Sequence, residues 1–425
     1  MAQNFRRRCA KWRGLQGSKL ASCGLLFLLL DVVIVSIPVA TSQSKAPGWE
    51  LVPTKGATFA RILSPAVYDP VNSRFEFFGG AGVKDYGDTV FYYPSNDTFV
   101  SLSQEARPSP RYAEAMSFDE ACRCLVLFGG AYKKTETSVE MIYNDTWLYF
   151  PGNDSWKDVA TRTAPAARHL DGMVYDPTSK VDLLFGGTDD LPYNDLWSFN
   201  TSTRAWVQLE SNILTGNLIG RPVNRFAFEM APSVGGSSFL VFGGDSMNLH
   251  LLKSGIPTEE EVNDTWEYSY SKGSWLNLTS GVHPPGRMLP ASASSVQYGL
   301  TLMFGGSNYS DPFSQGFLSD TWVFDQNTNR WHELNITGPG PLVGASLGYD
   351  PVSKSFLLFG GEDDMIFSGL VWRLSVSTVL SLIGGTSVIA WFSVEFVAAT
   401  LAVASAVAIV WASERRAQSR PTPLL

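Results

Sequence analysis

Short apolar runs, each closed by a double glycine, set the rhythm of this chain. Cys124-Leu125-Val126-Leu127-Phe128 is followed by Gly129-Gly130, and the same ending recurs elsewhere. A continuous apolar run of this length, bounded by turn residues, predicts a buried strand rather than a helix. The Phe-Gly-Gly triplet occurs six times, with its first glycine at Gly79, Gly129, Gly186, Gly243, Gly305 and Gly360. Seventeen residues ahead of the first five phenylalanines stand Arg61, Arg111, Arg168, Arg225 and Arg287. Behind the triplet, Trp147/Trp156, Trp197/Trp206, Trp266/Trp275 and Trp322/Trp331 are each nine apart, and Val90/Phe99 keep that spacing in the first unit. Such shared registers mark an internal repeat.

Each unit reads as four antiparallel strands, here a to d. Strand a runs from the arginine to a turn such as Tyr175-Asp176-Pro177, where proline fixes φ and aspartate bonds its own backbone. Strand b ends in the phenylalanine, strand c carries the first tryptophan and strand d the second. Six such units predict an all-β, six-bladed propeller over 48–376. The sixth unit has Trp372 but no strand d of its own, since nine residues later stands Ser381. An unused tryptophan lies at the other end, in Gly48-Trp49-Glu50-Leu51-Val52. The N-terminal strand is therefore expected to complete the sixth blade beside Trp372 and close the ring.

The arginine, the glycine doublet, the Asn-Asp-Thr-Trp stretch and the later tryptophan resemble Kelch repeats. The resemblance implies the propeller but little about activity, because one fold hosts unrelated functions. The sixth unit departs from the pattern: its arginine position is Leu342, and the aspartate found at Asp88, Asp145, Asp195, Asp264 and Asp320 becomes Leu370. Their joint loss implies that arginine and aspartate pair between strands or blades, and that apolar packing replaces the pair. A ring of free arginines binding an anion at the channel mouth is the competing reading. Some propellers of the Kelch type are copper oxidases or act on carbohydrate. His169, His250, His283 and His332 are the histidines at hand, without an HxH or HExxH pairing. No catalytic residue, metal or cofactor is expected.

Alternating strand direction puts the b–c and d–a connections on one face and the short a–b and c–d turns on the other. The b–c and d–a loops are unequal in length, and loops on a rigid scaffold carry binding residues. Tyr132, Lys133, His250, Lys253, Glu260, Tyr309 and Asp311 are the expected contacts with a protein or glycan partner. An adhesion or receptor-like module is the leading expectation, and an extracytoplasmic carbohydrate-active or oxidase-like enzyme the second.

Composition and chain ends place this propeller. The net charge of -8 argues against nucleic-acid binding. Residues 1–45 combine a basic stretch with an apolar run and read as a signal peptide or uncleaved anchor. Residues 387–412 read as a membrane helix joined by a linker at 377–386, with a basic cytoplasmic tail at 413–425. The propeller is thus expected outside a cell membrane, held by a single pass. Cys122 and Cys124, read as strand neighbours about 6.6 Å apart, look like small core residues rather than a disulfide. Asn200, Asn277 and Asn335 are glycosylation candidates, because the repeat's own turn does not explain them.

Overall fold

A computed structural model describes residues 47–102, 104–133, 140–213, 220–248, 258–308, 316–363 and 366–384. Six antiparallel sheets follow one another along the chain, each ordered a to d in space. Strand a of each blade lies beside strand a of the next, in a closed circle that returns from blade six to blade one. The strand-b runs Arg74–Phe78, Cys124–Phe128, Val181–Phe185, Leu300–Phe304 and Ser355–Phe359 are buried throughout. That burial on both faces explains why their sequence is apolar without alternation.

Ring closure follows the expected route. Glu50–Val52 pairs antiparallel with Val371–Ser375, with Leu51 opposite Trp372. Lys55–Gly56 then adds a parallel fifth strand to the outside of blade one. The segment read as a linker begins instead with a helix, Val376–Ile383, whose Ser375 side chain accepts from the Thr378 amide and caps its start. Val376 and Val379 are buried in a cluster with Phe356, Leu374 and Trp49, so this helix belongs to the propeller. It starts where strand c ends, on the face of the a–b and c–d turns. The leader at 1–45 and the span at 387–412 lie outside the described residues. Among the described residues no helix is long and apolar enough to cross a membrane.

Three features differ from the expectations. Each arginine lies four to six residues ahead of strand a, which begins for example at Val67 or Gly172. Cys122 sits in the a–b turn of blade two rather than in a strand, and Arg123 beside it has φ +55°. The turn brings the two Cα atoms to 5.3 Å, and Cys122 and Cys124 form a disulfide. Leu370 does not pack in place of the missing ion pair: it is 50% exposed, while Leu342 is buried.

The tryptophans knit neighbouring blades. The strand-d indoles of Trp156, Trp206, Trp331 and Trp49 donate to Thr89, Thr146, Thr265 and Thr321 of the preceding blade at 2.9–3.0 Å. In blade three that threonine is Leu196, and Trp275 donates to Glu210 instead. In blade six it is Val371, and the facing residue is Phe99, which has no N–H; both lie in one apolar cluster. Donor and acceptor are lost together, as the cost of an unsatisfied buried group requires.

Candidate functional site: loop-rich face and central channel

Each of the five arginines is spent within its own blade. Arg168 is fully buried and donates to both oxygens of Asp195, at 2.7 and 3.0 Å, to Gly186 O at 2.8 Å and to Ala166 O at 3.0 Å. Trp197 Nε1 donates to the same carboxylate at 2.8 Å. Arg111–Asp145, Arg225–Asp264 and Arg287–Asp320 repeat the arrangement, while in blade one Arg61 pairs with Asp88 without the Nε bond and Ser101 donates in place of the tryptophan. Burial by itself would raise Asp88, Asp145 and Asp264, but the bonds and charge of their arginines hold all three below the ordinary carboxylate range. This geometry rules out the free arginine ring, and it confines the ion pairs to single blades. Contact between blades runs through the arginine backbone: Gly80, Gly130, Gly187 and Gly244 donate to Arg111, Arg168, Arg225 and Arg287 O of the next blade, and Gly361 donates to Arg61 O. A Cβ on Gly79 would lie 2.3 Å from Arg111 O, and the φ of +63° also favours glycine.

Two residues beyond each arginine position, a second ring closes around the axis. Leu63, Ala113, Leu170, Ala227, Leu289 and Gly344 each donate their amide to the carbonyl of the corresponding residue in the blade before, at 2.8–3.1 Å. All six have φ between +52° and +62°. Their side chains alternate large and small around the circle, so three leucines converge from blades one, three and five. Sequence reasoning passed over this ring, although the alternation stands in register behind the arginines.

From the ring a central channel of about 630 Å³ runs toward the a–b turns, where Glu120, Pro177, Val296 and Pro351 line its mouth. Glu114 and Asp171 lie next to the ring in blades two and three. Both oxygens of each are buried and accept no hydrogen bond from another residue. Burial pushes Glu114 up to about 8, against the opposing charges of Arg111 and Arg61, and Asp171 up to about 7 against that of Arg168. In blade four Glu229 accepts from Ser292 Oγ at 2.5 Å, and burial pushes it up to about 8. None of these carboxyls was singled out from sequence.

On the loop-rich face, two-stranded hairpins rise from blades two, four and six: Ala131–Tyr132 with Met141–Ile142, Asp245–Asn248 with Thr258–Glu261, and Glu362–Asp363 with Ile366–Phe367. Tyr132 is half-buried opposite Met141, and the Lys133 amide donates to Asp85 of blade one at 2.7 Å. Glu260 belongs to the second hairpin. His250, Lys253, Tyr309 and Asp311 lie outside the described residues. Of the exposed large apolar side chains among the described residues, Val83, Met141, Leu191, Val282, Ile366 and Leu370 stand on this face, Val71, Val234, Val296 and Val352 on the a–b turns, and Leu51, Val100, Val207 and Leu276 on the outer strands. Of the histidines, His169 is partly buried beside the ring of Tyr112, and burial lowers its proton affinity. His283 Nδ1 contacts Pro284 O, and His332 lies on strand d of blade five. Among the described residues no three His, Cys, Asp or Glu side chains are grouped to hold a metal ion. Asn277 and Asn335 are exposed. The Oδ1 of Asn200 accepts from the Thr203 amide at 3.0 Å and that of Asn277 from the Thr279 amide at 2.8 Å.

Comparison with known proteins agrees with this geometry. The KLHDC2/KLHL20/DRC7 Kelch-repeats domain matches residues 39–244, and the Kelch motif matches residues 289–338. The chain belongs to the Kelch-repeat family. Kelch domain-containing protein 10 of Xenopus tropicalis is 31% identical over 149 residues, 33% of this chain and 34% of that protein. This Kelch chain therefore spans about a third of the length of the first curated relatives it matches. Host cell factor homolog hcf-1 of Caenorhabditis elegans is 23% identical over 53% of this chain and 28% of its own. N-acetylneuraminate epimerase of Haemophilus influenzae is 24% identical over 67% of this chain and 86% of its own. Kelch propellers are generally protein-interaction modules.

Proposed function

We propose that this Kelch propeller is a membrane-tethered binding module, displayed outside the cell, that holds a protein or glycan partner on its loop-rich face. The observation that carries the reading is the opposition of the two faces. Strand c of blade six and the helix Val376–Ile383 lead the chain off on the a–b and c–d turn side. A span at 387–412 would follow almost at once, so the hairpins and their apolar side chains would point away from the bilayer. Six exposed apolar side chains on this face, against four on the a–b turns, suit a partner better than water does. The Cys122–Cys124 disulfide suits an oxidising compartment, and exposed Asn277 and Asn335 would there accept glycan.

The likeness to N-acetylneuraminate epimerase favours a second reading, sugar chemistry in the channel. No Lys, Arg or His is among the residues lining the channel, which suits an anionic sugar poorly.

The test pairs location with face. Full-length chain expressed in cells is scored for protease access from outside and for the mobility lost in an N277Q/N335Q variant. Binding to glycan and surface-protein arrays is then compared for M141D/I366D on the loop-rich face and V234D/V352D on the other. The reading expects outside access, and binding lost in the first variant alone. Binding lost only in the second variant, or a propeller protected from outside protease, refutes it.

A further inference from the structure

The repeat explains most buried ionisable groups in this chain, but it does not explain Glu229, which is partly buried at the channel wall. Four residues beyond the arginine position the other blades carry Pro65, Ala115, Gly172, Ala291 and Ser346, all small and uncharged. Blade four alone places a carboxylate there. Its partner departs from the repeat as well: Ser292 stands where the others have Ala66, Met116, Met173, Met230 and Leu347. Two independent exceptions on adjacent blades thus meet in one 2.5 Å hydrogen bond. Only Oε2 of Glu229 accepts that bond, and the residue lines the channel. A propeller needs no such pair for packing, because five blades pack without it.

We infer that the channel is a binding pocket for a small organic cation, a primary amine on a compact apolar body, whose ammonium group is held by Glu229. At about 630 Å³ the channel falls within the range of small-molecule pockets, about 300–1,000 Å³. The carboxyls among its lining residues are Glu114, Glu120, Asp171 and Glu229, and no Lys, Arg or His lines it. The nearby arginines are committed to their aspartates, so no cation of the protein competes for these carboxyls, and an ammonium group beside one favours its ionised form. Met116, Met173, Met230 and Phe228 supply an adaptable apolar wall. The three leucines of the ring narrow the far end, and the ligand enters at the a–b turns. This pocket is separate from the partner face, and its failure would leave that reading untouched.

Three ligands of one shape and different charge test the inference: cyclohexylamine, cyclohexanol and cyclohexanecarboxylate, titrated calorimetrically into full-length chain. The amine is expected to bind at least tenfold more tightly than the alcohol, and the carboxylate not at all. Burial and the Ser292 hydroxyl set the proton affinity of Glu229 at about 8. Binding at pH 7 should therefore release a proton, read from heats in buffers of different ionisation enthalpy, and amine affinity should rise from pH 6 to pH 8.5. E229Q should lose the tenfold preference. Equal binding of amine and alcohol, or an amine affinity flat with pH in the wild-type chain, overturns the proposal even if E229Q fails to fold.

Discussion

Removing the indole of Trp49 should open the ring at its one seam. Trp49 is 4% exposed, meets Phe304 edge-on at 5.7 Å, and donates Nε1 to Thr321 Oγ1 at 3.0 Å. Its amide also donates to Thr337 O at 2.8 Å. Trp49→Ala deletes a fully packed aromatic and strands a buried hydroxyl, so a cost of about 3–5 kcal/mol is expected. Trp49→Phe keeps most of the packing and loses the hydrogen bond, at about 1–2 kcal/mol. The chain supplies its own control, because Phe99 faces Val371 where four other blade interfaces pair tryptophan with threonine. The double variant W49F/T321V rebuilds that natural pair and should recover about 1 kcal/mol relative to the sum of the single changes. Urea unfolding followed by far-ultraviolet circular dichroism measures the wild type, W49A, W49F, T321V and W49F/T321V. A Trp49→Ala cost below about 1 kcal/mol would refute closure by the N-terminal strand. So would a T321V penalty that is the same with and without the indole.

Two further outcomes follow from the buried charges. Asp195→Ala leaves the fully buried guanidinium of Arg168 with carbonyl partners only, at a cost of about 3–5 kcal/mol. R168L/D195L, which mimics Leu342 and Leu370 of blade six, should cost less than D195A alone in the same urea titration. Glu114 and Asp171 have folded proton affinities raised to about 8 and about 7. The folded state then holds protons that the unfolded chain has released, so their contribution is full below about pH 4 and is lost as pH rises toward 8. E114Q/D171N should flatten the fall in stability between pH 5 and pH 8, and an unchanged slope would count against protonated carboxyls at these sites.

The fold was legible because its signals are periodic. Phe-Gly-Gly, the arginine and the tryptophan pair repeat in register, and a repeated register states the number of blades and even the seam at Trp49 and Trp372. The Arg–Asp partnership could be read from its joint loss in blade six, although not its confinement to a single blade. Leu370 escaped correct placement because the blade edge lets it stay in water once no arginine needs its aspartate. The disulfide escaped because a turn at Arg123, rather than an extended strand, sets the distance from Cys122 to Cys124. The leucine ring left a trace in the sequence, but its meaning depends on a left-handed backbone that five non-glycine residues adopt only within the closed circle. Glu114, Asp171 and Glu229 were hidden because acids at these two repeat positions are confined to three blades, and such departures gain significance only once the register shows what the other blades carry.

Those departures are not spread evenly. Glu114, Asp171 and Glu229 belong to blades two, three and four, while the matching positions of blades five, six and one carry Pro290, Ala291, Ala345, Ser346, Ser64 and Pro65. One half of the channel wall near the ring therefore holds the acids, and the other half holds apolar groups and hydroxyls. The scaffold charges cannot create this asymmetry, since Arg–Asp pairs stand in five blades and each is internally neutral. A guest in this space would meet carboxyls on one side and apolar groups and hydroxyls on the other, which orients a molecule whose cationic end can ionise one of them. The partner face owes nothing to these acids, because its hairpins rise on the far side of the ring. The propeller thus separates two surfaces of different chemistry by one hydrogen-bonded circle, and each can be altered without touching the other.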